Sequence, residues 1–488
     1  MKKIFWKYIL AGALLLSSAA AMSAQNMRSG YFMDGYAFKF KMNPAMGSSR
    51  GFVALPALGN FNLGVESNLG MSSILYPKQD GSGLTTFLNS EVDAATAMKK
   101  FDTRNYINTN TDLPILAFGF WGKKGRMFHT VDLSVKADVA TSLPYDLFRF
   151  AKEGSVNGNV FDLSNTGVKA NAHVSLAYGF SLPIGKHVKF GARAKFLMGV
   201  ADAEVSLKGT SLTTGAEGIY AVTDGSARGA LPLGMYFPVN EQNYVDWESI
   251  GNTFSTDIDA IASTCSNFGG AVDLGVTVDF LEDFTASASV TDLGFISWNN
   301  YSSASAAKDA DGNPKTTYVV KGGEKADFKN LGKKFLKCLD FNVIDDRIKK
   351  TLMLDPTVYV GLEYRMPFYR RMSVGLLSTT KISGIYTWTE GRLSVNVNPT
   401  NWFSATTNYA YSTFGHSAGL AFTFHLPGFN MFVGTDSYIP MLNVNPQFIP
   451  INRVNTSVTY DQYNVRSIQR TLYCQITNNR KEYVSRNS

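Results

Sequence analysis

Between Val168 and Leu182 every even-numbered residue is apolar and every odd-numbered one is polar or small. A strand sends alternate side chains to opposite faces, so this segment presents one oily face and one wet face. It also runs longer than an ordinary globular strand of ~5–6 residues. After a tight turn at Pro183–His187 the alternation returns: Val188, Phe190, Ala192, Ala194, Phe196, Met198 and Val200 oppose Lys189, Gly191, Arg193, Lys195 and Gly199. Two such neighbours joined by a short turn describe a bilayer-crossing hairpin. Its strands need ~9–11 residues, with lipid on one side and a polar lumen on the other.

The N-terminus fits that destination. Lys2, Lys3 and Lys7 precede an apolar run from Ile9 to Ala21, and small residues follow up to Ala24. This is the layout of a secretory signal peptide over residues 1–24, with a cut after Ala21 as the alternative. The run is short of the ~20 residues of a helical span, and no long apolar stretch occurs elsewhere, so helical spans are excluded. A secreted chain of alternating strands belongs in a Gram-negative outer membrane. Composition agrees: 17% charge is low for a soluble surface, and alternation brings the mean hydropathy to −0.07. The formal charge of +7 sits at the two ends, in three signal lysines and a basic stretch from Asn464 to Ser488. The body is balanced, and nucleic acid is excluded as a partner. Cys265, Cys338 and Cys474 fall outside the expected strands, and Cys265–Cys338 pairing is open in an oxidising compartment.

Further alternating runs lie near 60–69, 116–120, 131–139, 272–280, 284–298, 358–366, 372–380, 391–398, 402–412, 416–425, 430–438 and 452–462. With the opening pair they number about fourteen, an even count suited to a single-chain barrel. A phase slip near Asp292-Leu293 predicts a bulge. Connections alternate between short ones, such as 122–126 and 281–283, and long ones, such as 141–165 and 206–265, the asymmetry of periplasmic turns and extracellular loops. Gly218–Thr223 is placed in a loop hairpin, because one more span would break the parity. Trp121, Phe368, Tyr369, Trp402, Phe403 and Phe429 near the short turns, and Trp298, Trp388, Tyr411 and Tyr438 at the other rim, are expected to form two interfacial girdles.

Residues 25–51 do not alternate and are rich in Gly, Met and aromatics, too apolar for a free tail. A lumen this wide is an open pore unless filled, so the segment is expected inside as a plug. Asn43, Pro44 and Ala45 would form its turn, Pro fixing φ and Asn capping backbone groups. The barrel is expected over 52–463 and a disordered basic tail over 464–488.

Met42-Asn43-Pro44-Ala45-Met46, the run Ser142–Phe150 and the run Ser289–Trp298 carry a resemblance. With the signal peptide and large loops, the chain resembles the FadL-like long-chain fatty-acid transporter superfamily. More closely it is similar to an uncharacterised Bacteroidota outer-membrane β-barrel family. The resemblance implies a transmembrane antiparallel β-barrel, an N-terminal hatch and release of hydrophobic ligands through the wall. The chain departs from that pattern in its basic tail, where a barrel strand with a terminal aromatic is usual.

Strand parity points Lys136, Lys169, Lys189, Arg193 and Lys195 into the lumen beside Asp132 and Asp138. Arg193 and Lys195 would either hold a carboxylate head group or pair with acids of the plug and neighbouring strands. Asn89–Phe101 and Pro144–Glu153 read as short loop helices, whose Leu147, Phe148 and Phe150 would line a greasy mouth or pack the loops together. His173 faces the lumen as a satisfied polar group. No catalytic motif or metal-ligand spacing occurs, and no cofactor is expected. The functions that remain are a passive channel for small hydrophobic molecules and a barrel that docks partner proteins through its loops.

Overall fold

Strands with one apolar face can sit in hydrocarbon only when both backbone edges are paired. The structure, a computed structural model, describes residues 27–54, 61–81, 83–122, 125–154, 158–230, 237–247, 249, 266–321, 339–426, 429–436 and 467–476. The first half of its main sheet comprises β1 (Phe52–Ala54 and Phe61–Ser67), β2 (Arg104–Trp121), β3 (Phe128–Pro144), β4 (Gly167–Ile184), β5 (Val188–Leu207), β6 (Gly225–Ala230 and Phe268–Phe280) and β7 (Phe284–Ala306). The second half comprises β8 (Phe341–Met353 and Thr357–Arg365), β9 (Met372–Lys381), β10 (Trp388–Thr400), β11 (Phe403–Ser412), β12 (Gly415–Leu426), β13 (Phe429–Thr435) and β14 (Ser467–Ile476). Seventeen strands thus fill fourteen positions, since β1, β6 and β8 are each in two pieces. Every pairing is antiparallel, each position pairs with the next, and β14 pairs with both pieces of β1, which pair with β2 on their other edge. The pairings therefore return to their start, so that no position is left with an unpaired edge.

The faces are the reverse of a soluble protein's. Leu176, Tyr178, Phe196, Leu274, Val360, Leu376 and Leu393 are exposed, whereas Ser175, Arg193, Lys195, Asp273, Ser289 and Asn396 are buried. Among the described residues no helix is long and apolar enough to cross a membrane.

The bulge lies where the phase slips. Val272 pairs with Leu293 but Leu274 with Val290, and Asp292 takes a φ of 61°. Inward residues are odd-numbered before it (Ser287, Ser289, Thr291) and even-numbered after it (Ile296, Trp298). This corrects the outer girdle: the bulge turns Trp298 inward to complete burial, and Trp388 is buried beneath the Arg28 guanidinium, 5.1 Å from its ring. At the other girdle Trp121, Phe368, Tyr369 and Trp402 are exposed and Phe403 is half-buried; Tyr411 of the outer rim is exposed, and Tyr438 and the side chain of Phe429 lie outside what the structure describes.

The long connections fold on themselves. Val160–Asp162, Ser211–Gly215, Gly218–Val222 and Thr316–Lys321 form a separate four-stranded sheet. Two helices stand where expected: α1 (Ala94–Met98), capped by the Asp93 carboxylate accepting from Thr96 N at 2.8 Å, and α2 (Tyr145–Glu153).

The C-terminus corrects the sequence reading. Ser467–Ile476 is a strand between β13 and β1, not part of a disordered tail, and Cys474 lies within it opposite Met431. In sequence, Ile468, Leu472, Cys474 and Ile476 share one parity, a signal hidden among the arginines. The signal peptide, Cys265, Cys338 and the run at 452–462 lie outside the described residues. Truncation before Asn464 is accordingly expected to abolish heat-modifiable folding in lipid vesicles, because β13 and β1 lose their common partner. A folded truncate would make the segment dispensable.

Candidate functional site

Residues 27–46 add no strand to the sheet. Two 3-10 turns, Arg28–Gly30 and Ala37–Lys41, compact the segment, and its Met27, Tyr31, Phe32, Met33, Phe38, Phe40 and Met42 cluster with Phe52, Phe128, Tyr359 and Phe432 of the wall. Aromatic contacts of this kind contribute ~0.5–1.5 kcal/mol each beyond area burial.

Polar anchors fix the segment within the ring. Arg28 pairs with Glu66, with Glu390 at 3.3 Å and with Asp436 at 3.8 Å, and Lys41 pairs with Asp112 at 2.8 Å. The Asn43 side-chain oxygen accepts from Ala45 N at 3.0 Å, making the expected turn. Its amide nitrogen donates to Tyr31 Oη at 3.2 Å and to the Val276 and Ala288 carbonyls at 3.4 Å. Ser181 and Ser289 donate to the carbonyls of Ala45 (2.8 Å) and Met42 (2.7 Å). The wall opposite must be bare. A Cβ at Gly191 would overlap the Pro44 backbone, and one at Gly275 would overlap the Asn43 side chain. Asn43, Pro44 and Ala45 are therefore a turn docked onto β5, β6 and β7.

The lumen charges form a ladder. Arg193 joins Asp132 and Asp273 (2.8 Å), Lys195 joins Asp273 (2.6 Å) and Asp292 (2.7 Å), and Lys136 closes on Asp292 at 3.3 Å. The bulge supplies the last acid, and the Asp273 carboxylate accepts from Asp292 N at 2.8 Å. Lys169 lies apart, 2.6 Å from Asp355. Of the two roles open to Arg193 and Lys195, pairing with strand acids is the one seen. Breaking a buried pair leaves an uncompensated charge, so Asp273→Ala should cost about 3 kcal/mol in urea unfolding from vesicles. A cost under about 0.5 kcal/mol would show that water screens the ladder.

Above the ladder lies a cavity of about 80 Å³. Lys136, Lys169 and Lys381 face Asp138, Asp202, Asp292 and Asp355 across it, with Asn171, His173, Ser383, Tyr386 and Trp388 between. Asn171 donates its amide N–H to Asp202 Oδ1 at 3.0 Å, so its oxygen accepts from His173 Nδ1 at 2.9 Å. That direction leaves the His173 Nε2 lone pair and Asp202 Oδ2 as acceptors, and neither has a partner among the described residues. Ser383 Oγ, Tyr386 Oη and Trp388 Nε1 are likewise unpartnered. Burial pushes the Tyr386 phenol above its ordinary pKa, which keeps it a donor. His173 is thus only half satisfied. Parity predicted Lys136, Lys169 and His173, but Lys381 was not among the expected residues. Asp202 has the parity of the outward residues Val188 to Val200 and faces inward only because the register shifts between Gly199 and Ala201, and the 382–387 loop carries no periodic signal.

Leu147, Phe148 and Phe150 do not share one surface, so of the two roles open to them packing within the loops is the one seen and a common mouth is not. Phe148 stacks on Phe101, ring centres 4.3 Å apart, while Phe150 packs on Phe161 in the loop sheet and Leu147 joins that second cluster. An amphipathic helix sends residues two apart to different sides, and here both sides are covered. Among the described residues no group of His, Cys, Asp and Glu is placed to hold a metal ion.

Three solved structures are similar to the chain at low identity. The toluene transporter TodX of Pseudomonas putida is 8% identical, with 94% of this chain and 100% of that one covered and a TM-score of 0.38. The toluene transporter TbuX of Ralstonia pickettii is 8% identical over 94% and 97%, with a TM-score of 0.39. A FadL homologue of Pseudomonas aeruginosa is 10% identical over 93% and 98%, with a TM-score of 0.38. No curated protein matches the chain. Residues 44–436, from the Pro44 of the docked turn to the Asp436 that holds Arg28 and Ser29, match the model of a family of unknown function, DUF5723, and the chain belongs to that family.

Proposed function

We propose that the protein is an outer-membrane channel for small hydrophobic molecules, closed at rest by residues 27–46. The observation that carries this reading is an apolar segment held in the lumen by side chains and turns instead of strand pairing. Such a segment can shift without opening the wall. Its contact with Phe52, Phe128 and Phe432 offers a low-polarity track along which an apolar solute replaces one aromatic contact with another. The docking alternative lacks such support, since the loop aromatics Phe87, Phe101 and Phe148 pack on one another.

The test is uptake of a fluorescent long-chain fatty acid by a Gram-negative host stripped of its own channels for hydrophobic solutes. Expression should raise fatty-acid entry several-fold and leave saccharide entry unchanged. Unchanged fatty-acid entry with folded protein in the outer membrane would overturn the channel reading. Recovery of a stoichiometric protein partner in that case would favour docking.

A further inference from the structure

We propose that the cavity above the charge ladder is a binding site for a small protonated amine that also carries a hydroxyl, with Asp202 and His173 receiving the ammonium. The site goes beyond conduction and does not depend on it.

Charge decides the sign of the ligand. The ladder balances three acids (Asp132, Asp273, Asp292) against three bases (Arg193, Lys195, Lys136). Lys169 is matched by Asp355 and Lys381 by Asp138. Asp202 alone among the cavity's carboxylates makes no ion pair among the described residues, although it is only 3% exposed. Arg228 and Lys169 act on Asp202 from further off but are engaged by Glu204 and Asp355, so a cation that fills the space beside this buried carboxylate relieves the cost of its burial.

Hydrogen bonding decides the chemistry. Asp202 Oδ2 and His173 Nε2 are both acceptors, joined through one Asn171 amide, so the group they meet must bring donors. A metal ion would want more carboxylates than this pair offers, whereas an ammonium has N–H groups for both. Ser383 Oγ, Tyr386 Oη and Trp388 Nε1 present donors in the same cavity, which suits a hydroxyl oxygen on the ligand. His173 is 4% and Trp388 2% exposed, so these are built positions and not surface groups. A volume of about 80 Å³ admits a head of ethanolamine size.

Ethanolamine, ethylene glycol and glycolate share one size and differ in charge. Isothermal titration of the purified full chain in detergent should show ethanolamine binding at least tenfold more tightly than either of the others. Asp202→Asn should lose at least tenfold for ethanolamine and leave ethylene glycol unchanged. Because that change removes an unpaired buried charge, the fold is not expected to suffer. Should it fail to fold, His173→Gln supplies the second variant, with a weakening of at least threefold expected. Tyr386→Phe should weaken ethanolamine but not ethylamine, which has no hydroxyl. No ethanolamine binding, equal binding of the three probes, tighter glycolate, or an indifferent Asp202→Asn would each overturn the site. Binding is read without a membrane, so a failed uptake assay and a failed titration remain separate results.

Discussion

Leu176→Arg and Leu274→Arg should each destabilise the folded protein by ~2–4 kcal/mol in lipid vesicles, the cost of a cation near the bilayer midplane. Both side chains point outward, 49% and 39% exposed, between inward neighbours that are buried: Ser175 and Ala177 beside one, Asp273 beside the other. Leu176→Ala and Leu274→Ala serve as references, since they delete the same apolar surface without a charge. Lys136→Arg keeps a cation on the lumen side against Asp292 and should cost under about 1 kcal/mol. Inward positions are not all permissive, however. Ser175 is 1% and Thr277 5% exposed, so an arginine there would have to displace packed neighbours. Equal costs for Leu176→Arg and Leu176→Ala by urea titration of heat-modifiable folding would remove the membrane from the interpretation.

The period-two pattern made the wall legible because lipid and lumen impose opposite demands on successive residues. Val188 to Val200 face as the alternation says, and so do Val272 and Leu274. Legibility failed where that contrast fades. The run from Arg104 to Leu113 belongs to β2, but Asn105, Asn108, Asn110 and Asp112 face inward opposite residues that are only weakly apolar. Trp298 lies inside and not at the rim, for a cause visible in the sequence. The slip at Asp292 inverts the alternation through Ile296 and Trp298, and further register shifts follow near Tyr301. β14 was hidden by composition: arginines nearby outweighed four apolar residues of one parity. In the lumen, parity selects the residues that face inward but not which acid reaches which base. Asp202 and Lys169 sit on adjacent strands, and only the three-dimensional pairing shows that Lys169 goes to Asp355 and leaves Asp202 alone.

Deleting residues 25–50 is expected to turn a barrel with near-zero conductance into a water-filled pore, read as discrete steps in planar bilayers. Deletion strips Glu66, Glu390 and Asp436 of Arg28, and Asp112 of Lys41, and leaves the wall aromatics Phe52, Phe128 and Phe432 without a cover. Water can hydrate the acids, and the pairing of β1 to β14 contains no residue of the deleted stretch, so the wall should survive. Gly191→Leu with Gly275→Leu tests the same point with the segment still attached. Both side chains would occupy the space of Asn43 and Pro44, evict the docked turn and open intermediate conductance. Arg28→Ala should act more weakly, because the Lys41 pair and the aromatic cluster remain. Entry of small saccharides into vesicles should follow the same order: deletion, then the double leucine variant, then Arg28→Ala, then the unaltered chain. A folded deletion variant with unchanged conductance would mean that the loops close the lumen, and Asn43, Pro44 and Ala45 would then be an anchor for stability alone.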